Sequence, residues 1–186
     1  MRMFSGALLA AVAVTVYFIA AGVSTRPEPG GLETWTAHAV RGLAVRAHSS
    51  AAKNPVPLSA AVIKEGMEHF ADHCAVCHDN NGSGNTEMGR GLYPRAPDMR
   101  LAATQGLSDA ELFYIIENGV RFTGMPGWST GTQAGAESSW QLVHFIRHMP
   151  ALTDEEIERL ESQTPRSRED VRQELEEERF LRGERE

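Results

Sequence analysis

The sequence contains only two cysteines, Cys74 and Cys77, and they sit three positions apart, so no disulfide framework can be read from it. It has no cluster of basic residues, which excludes an ordinary nucleic-acid surface. No stretch reads as a strand, and no internal repeat is visible. No cysteine stands near the N-terminus, so a lipid anchor on such a residue is excluded too. Charge is present but uneven. Residues 1–58 carry a net +3, residues 59–150 a net −4 and residues 151–186 a net −6, within a total of −7 over 186 residues. That length allows one small domain with extensions.

The extensions come first in the chain. Residues 3–25 hold no charged side chain, and Gly6 to Val23 is an almost unbroken apolar run of 18 residues flanked by Arg2 and Arg26. A helix of that length just spans a hydrocarbon core of roughly 30 Å. The run exceeds the usual signal-peptide core of about 7–15 residues. Residues 1–25 are therefore expected to be a signal-anchor, a single transmembrane helix. The rival reading is a signal peptide cut near Ala20-Ala21-Gly22. Either reading exports the remainder. Residues 26–58 are expected to be a linker with one amphipathic helix, Leu32 to Ala47. Its stripe of Leu32, Trp35, Ala39, Val40, Leu43 and Ala47 suits either an interfacial position on the membrane or packing on the domain.

Residues 59–150 are expected to form the compact domain. A helix runs from Ser59 to His73, with Val62, Ile63, Met67 and Phe70 as its apolar members. Residues 79–107 are rich in Gly, Pro and Asn and read as loop. Ser108-Asp109-Ala110-Glu111 is a capping box opening a second helix, which Gly119 can end. A third helix runs from Glu137 to Met149 and stops at Pro150. Residues 151–186 are expected to be a charged tail, helical or disordered, with a second capping box at Thr153–Glu156 and a short helix through Leu160.

Cys74-Ala75-Val76-Cys77-His78 carries the chemistry. Two thiols one helical turn apart can add to the two vinyl groups of one haem, and His78 then points its imidazole at the iron. A zinc site would need a second ligand pair at suitable spacing, and His144 and His148 lie 66 or more residues away. A thiol–disulfide redox pair would sit beside a strand–helix unit. The expected cofactor is one covalent haem c, bound by Cys74 and Cys77, with His78 as an iron ligand. The sixth iron position falls to Met125, in Gly124-Met125-Pro126, 47 residues after His78. A thioether is a soft, neutral ligand that favours ferrous iron. Met67 reads as core filling, Met88 and Met99 lie in the loops, and Met149 ends a helix. Arg95 and Arg100 are candidates to pair with haem propionates. A core of about 90 residues with three helices is thin, and a haem gives those helices a large apolar surface to cover.

These residues resemble a class I c-type cytochrome, of the membrane-anchored bacterial mono-haem kind. The resemblance covers roughly residues 59–150 and rests on CAVCH at 74–78, on Gly-Met-Pro-Gly-Trp at 124–128 and on Gly66-x3-Phe70-x3-Cys74. It implies an all-α, cytochrome c-like fold of three or more helices around one haem. It implies a close crossing of the first and last helices over Gly66, with Phe145 and Ile146 opposite. It also implies that a proline carbonyl, that of Pro97 or secondly Pro94, accepts the proximal histidine N–H, and that Trp128 packs against the haem. With His78 and Met125 both on the iron, no position stays open for a substrate. The expected role is single-electron transfer between redox partner proteins, not catalysis, and no small-molecule substrate is expected. The haem domain is expected on the periplasmic face of a bacterial inner membrane, as a carrier or a subunit of a respiratory complex. The alternative is a haem enzyme or gas sensor with a labile sixth ligand, for which Arg121 and His144 are the nearest acid–base candidates.

Overall fold

A computed structural model describes residues 11–183 apart from residues 18, 21, 23, 50–52, 166 and 167. Every regular element among the described residues is helical, as the all-α expectation requires. Among the described residues, nine α-helices outside the N-terminal segment follow in order: α1 Gly31–His48, α2 Ala60–His73, α3 Ala75–His78, α4 Glu87–Gly91, α5 Ala102–Gln105, α6 Asp109–Asn118, α7 Gln133–His148, α8 Asp154–Gln163 and α9 Arg168–Leu181. Residues 11–17 and 19–20 are also helical. No helix among the described residues is long and apolar enough to cross a membrane. Much of the expected anchor, residues 1–10, 18, 21 and 23, lies outside the described residues.

Local chemistry sets the helix ends. Ser59 starts α2 by accepting from the Val62 N–H at 3.2 Å. Ser108 and Glu111 close the capping box of α6, and Thr153 and Glu156 close that of α8. Gly119 ends α6 at φ +68, in the left-handed region that glycine enters without strain. α7 begins at Gln133, four residues before the position that apolar periodicity suggests, because the Thr132 hydroxyl accepts from the Gly135 N–H and starts a polar first turn. The loop expected over residues 79–107 contains α4 and α5, too short to show a period.

The core forms where α2 crosses α7. A Cβ on Gly66 would stand 2.5 Å from the Gln141 carbonyl oxygen and 2.9 Å from the Phe145 Cβ, so the two backbones meet over a missing side chain. The neighbours are Gln141 and Phe145, where Phe145 and Ile146 were expected. Phe70 and Phe145 are both fully buried, with ring centroids 5.3 Å apart. α6 joins through Leu112 and Ile116, and Phe113 stacks on Trp140 at 4.1 Å. The acidic segment 151–186 divides in two. α8 packs on α2 with Leu160 fully buried, and the Thr164 hydroxyl donates to Asn80 Oδ1 at 2.6 Å. α9 exposes Val171, Leu175, Phe180 and Leu181.

Candidate haem site

The attachment motif sits at a helix junction. Cys74 caps the C-terminus of α2, its N–H donating to the Phe70 carbonyl at 2.8 Å, and Cys77 and His78 lie in the single turn of α3. Both cysteines are free thiols. Burial and the neighbouring Cys77 push the Cys74 thiol up to about 12, and burial also raises Cys77. A thiol–disulfide exchange site needs the opposite shift, toward a thiolate at neutral pH. No group of three or more His, Cys, Asp or Glu among the described residues is placed to hold a metal ion, so the zinc reading gains nothing either.

The chain after His78 folds back over it. Asp79 takes a left-handed φ of 66, and its carboxylate accepts from the Asn80 N–H at 2.8 Å and the Ser83 hydroxyl at 2.6 Å. The Gly84 N–H donates to the His78 carbonyl at 2.8 Å. Thr86 donates to the Val76 carbonyl at 2.8 Å and caps α4 by accepting from Gly89. Gly89 lies against the Cys77 and Gly84 carbonyls, and Gly84 against those of Ala96 and Pro97, with no room for a Cβ at either position. These contacts bring Pro97 to the His78 ring.

The ring is mostly enclosed. Burial lowers its pKa, and the Pro97 backbone carbonyl beside it partly offsets that shift. Pro97, the first of the two proline candidates, is therefore the one at the ring. The approach falls short of a well-formed hydrogen bond. Nδ1 of His78 is the one buried side-chain polar atom left without a partner among the described residues.

Met125 lies half-buried in the loop between α6 and α7. Its N–H donates to the Thr123 hydroxyl at 3.1 Å and its carbonyl accepts from the Val120 N–H at 3.0 Å. Gly119 and Gly127 let the loop close against the end of α6, and Gly124 lies against the Leu92 side chain just past α4. The loop bearing Met125 thus touches the segment that backs onto Cys77. Of the other methionines, Met67, Met99 and Met149 are buried in the core, whereas Met88 is exposed.

Trp128 packs against the core, its ring edge-on to His73 at 5.2 Å. Arg95 pairs with Glu28 at 2.9 Å, and Arg100 forks onto Asp98 with bonds of 2.9 and 2.7 Å. His144 is held by the Val56 carbonyl at 2.8 Å, and Arg121 is exposed, so neither acid–base candidate of the enzyme reading is brought to His78 by an observed contact.

A haem fits one further feature. The large apolar side chains exposed within residues 59–150 are Val76, Met88, Leu101 and Phe122. Val76 lies between the two cysteines, Met88 precedes Gly89, Leu101 follows Met99 by two positions, and Phe122 precedes Met125 by three. Apolar surface left uncovered beside the motif and its loops is what a large apolar disc would cover.

Residues 61–146 match the family model described as cytochrome c oxidase, cbb3-type, subunit III. These residues are a cytochrome c domain. The matched span contains the α2–α7 crossing, the motif and the Met125 loop. α1, α8 and α9 lie outside it. Leu92 and Arg147 escaped notice in the sequence. Leu92 ends a short helix with no periodic signal. Arg147 ties α7 to Asp109 at 2.9 Å and to the Gln105 carbonyl at 2.8 Å, and also reaches the Leu107 carbonyl.

Proposed function

We infer haem-based electron transfer between redox partners from the cytochrome c domain. We propose that this chain moves single electrons through one haem c bound by Cys74 and Cys77, with His78 and Met125 as axial ligands. The site lies on the periplasmic face of a membrane to which residues 1–25 anchor the chain. The chain acts as a carrier or as an electron-transfer subunit of a respiratory complex, a role that accords with the name of the matched family. A haem held there would supply a one-electron ferric–ferrous couple, taking an electron from a donor partner and passing it to an acceptor partner. The protein's part is to hold it, enclose it and present it to a partner.

The observation that carries this reading is the backbone built around His78. The ring is buried, so its neutral form is favoured, and neutral imidazole is the form that ligates a metal. The Pro97 carbonyl stands beside the ring, and backbone carbonyls are usual second partners of a ligating histidine. Neither thiol is a ready thiolate, which accords with cysteines meant to be alkylated and not to cycle.

Two measurements on matured, exported protein test the proposal. Acid–organic extraction should leave the haem on the chain, and haem that extracts freely would refute covalent attachment. Met125→Ala should open the ferrous iron to carbon monoxide. If that variant leaves the spectrum and potential unchanged, the ligand is another methionine, with Met99 or Met88 next in line.

A further inference from the structure

α1 lies outside the cytochrome c domain and carries two different faces. At about 100° per residue, Leu32, Ala39 and Leu43 fall within about 40° of one another, with Trp35 and Val40 flanking them. Leu32 is 78% exposed, Trp35 69%, Val40 61% and Leu43 68%. Val45, which lies about 140° round the helix from that stripe, is buried at 6% exposure. Thr34 and Arg41, close to Val45 around the helix, are half-buried. The apolar stripe thus points away from the domain while the opposite face is docked on it.

Contacts at both ends hold that orientation. The Tyr93 hydroxyl donates to Glu33 at 2.6 Å, and just before the helix Glu28 pairs with Arg95 at 2.9 Å. Towards its C-terminus Arg46 lies 3.7 Å from Glu111, and His48 stacks on Tyr114 at 6.0 Å. Rotating the stripe inward would break all four. An ordinary docked helix would turn its tryptophan and both leucines inward, not leave them uncovered.

The chain itself indicates what covers them. Only residues 24–30 separate the end of the apolar run at Val23 from the start of α1. Seven residues reach at most about 25 Å, so a chain anchored through that run keeps α1 at the bilayer surface. An apolar stripe carrying a tryptophan, with Arg26 before the helix and Arg46 at its end, suits the boundary between headgroups and acyl chains.

We propose that α1 lies in the interfacial layer of the membrane with Leu32, Trp35, Ala39, Val40 and Leu43 in the lipid, clamped between the bilayer and the haem domain. It would thereby fix how that domain faces the membrane, with α6 and the Tyr93–Arg95 segment on the membrane side. This inference rests on the anchor reading above, and the test separates the two. Full-length, haem-loaded protein is placed in phosphatidylcholine–phosphatidylglycerol nanodiscs, one copy per disc, with lipids bearing a diazirine near the glycerol end of the acyl chain. After illumination, labelled peptides are mapped by mass spectrometry. The expected result is label on residues 32–43 as well as on residues 1–25. In Leu32→Glu/Leu43→Glu, label on α1 should fall to background while that on residues 1–25 persists. Label confined to residues 1–25 in the unaltered protein overturns the proposal and leaves the anchor standing. Protein that stays out of the discs, unlabelled throughout, overturns both. Crosslinks from α1 to another protein or a second copy, in native membranes lacking label on α1, also overturn it.

Discussion

Replacing Gly66 with alanine sets two known effects against each other. Alanine in a helix interior is favoured over glycine by about 1 kcal/mol. Against that, the new methyl would sit 2.5 Å from the Gln141 carbonyl oxygen, 2.9 Å from its carbon and 2.9 Å from the Phe145 Cβ. Ordinary carbon contacts lie at about 3.5–4.0 Å, so α2 and α7 must part by about 1 Å. Overpacking of this kind costs about 1–3 kcal/mol, and the upper end applies because two of the three obstacles are helix backbone that cannot rotate aside. The net expectation is a loss of about 2 kcal/mol. For a domain near 100 residues, 1 kcal/mol moves Tm by about 4–8 °C, so the fall should be about 8–16 °C. Thermal and denaturant unfolding of the haem-loaded protein, followed by far-ultraviolet circular dichroism, measures it. Gly42→Ala makes the same chemical change in α1, where only the flexible Nη2 of Arg46 stands near, at 3.3 Å. That variant should be neutral or slightly stabilising. A Gly66→Ala protein as stable as the parent would show that the crossing is looser than the structure has it.

Other perturbations reach different parts of the fold. Arg147→Met should cost about 2 kcal/mol, because it strands the Gln105 and Leu107 carbonyls and the Asp109 carboxylate together, and Arg147→Lys should recover only part when denaturant midpoints are compared. Leu160→Ala should cost about 2–5 kcal/mol, since Leu160 is fully buried, and a loss below 0.5 kcal/mol, the scale of a surface substitution, would show that α8 is not part of the folded unit. Glu111 gives a pH dependence. The Ser108 backbone N–H and hydroxyl hold its carboxyl below the ordinary 4.5, against some burial and with help from Arg46. A depressed carboxylate stabilises fully above its unfolded pKa and loses that contribution as pH falls through the lower folded value. Stability should therefore decline as pH falls below 4.5, and Glu111→Gln should flatten that part of the urea-midpoint profile.

Capping chemistry made much of this fold legible in advance. Ser108–Glu111 and Thr153–Glu156 announce helix starts by a local exchange of hydrogen bonds, and the structure contains both exchanges. The motif at 74–78 is equally local, because its spacing is its chemistry. What escaped reading depends on distant partners. Nothing near Leu160 in an acidic segment signals that α2 will cover it. Arg147 looks like an ordinary basic residue near a helix C-terminus, and only folding brings three acceptors to it. Arg95 and Arg100 are candidates for propionates by charge alone, and folding also sets each beside a carboxylate, Glu28 and Asp98 respectively. The start of α7 was missed because its first turn, QAGA, has no apolar period and one hydroxyl at Thr132 sets it.

The glycines of the segment after His78 show how sequence reaches the site through the backbone. Gly84 must lie against the Ala96 and Pro97 carbonyls, and Gly89 against the Cys77 carbonyl, for residues 79–97 to close over the histidine. A side chain at either glycine would push Pro97 off the ring. The ring would then lose the backbone carbonyl that stands beside it, and with it part of what holds the imidazole in place. The orientation of His78 is therefore set less by its own contacts than by two positions where any side chain is too large. Gly84→Ala and Gly89→Ala, which leave both cysteine thiols in place, should for that reason perturb the haem spectrum more than Gly91→Ala, where nothing stands within 4 Å. Spectra of the three alanine variants that could not be told apart would mean that the loop does not position the ring.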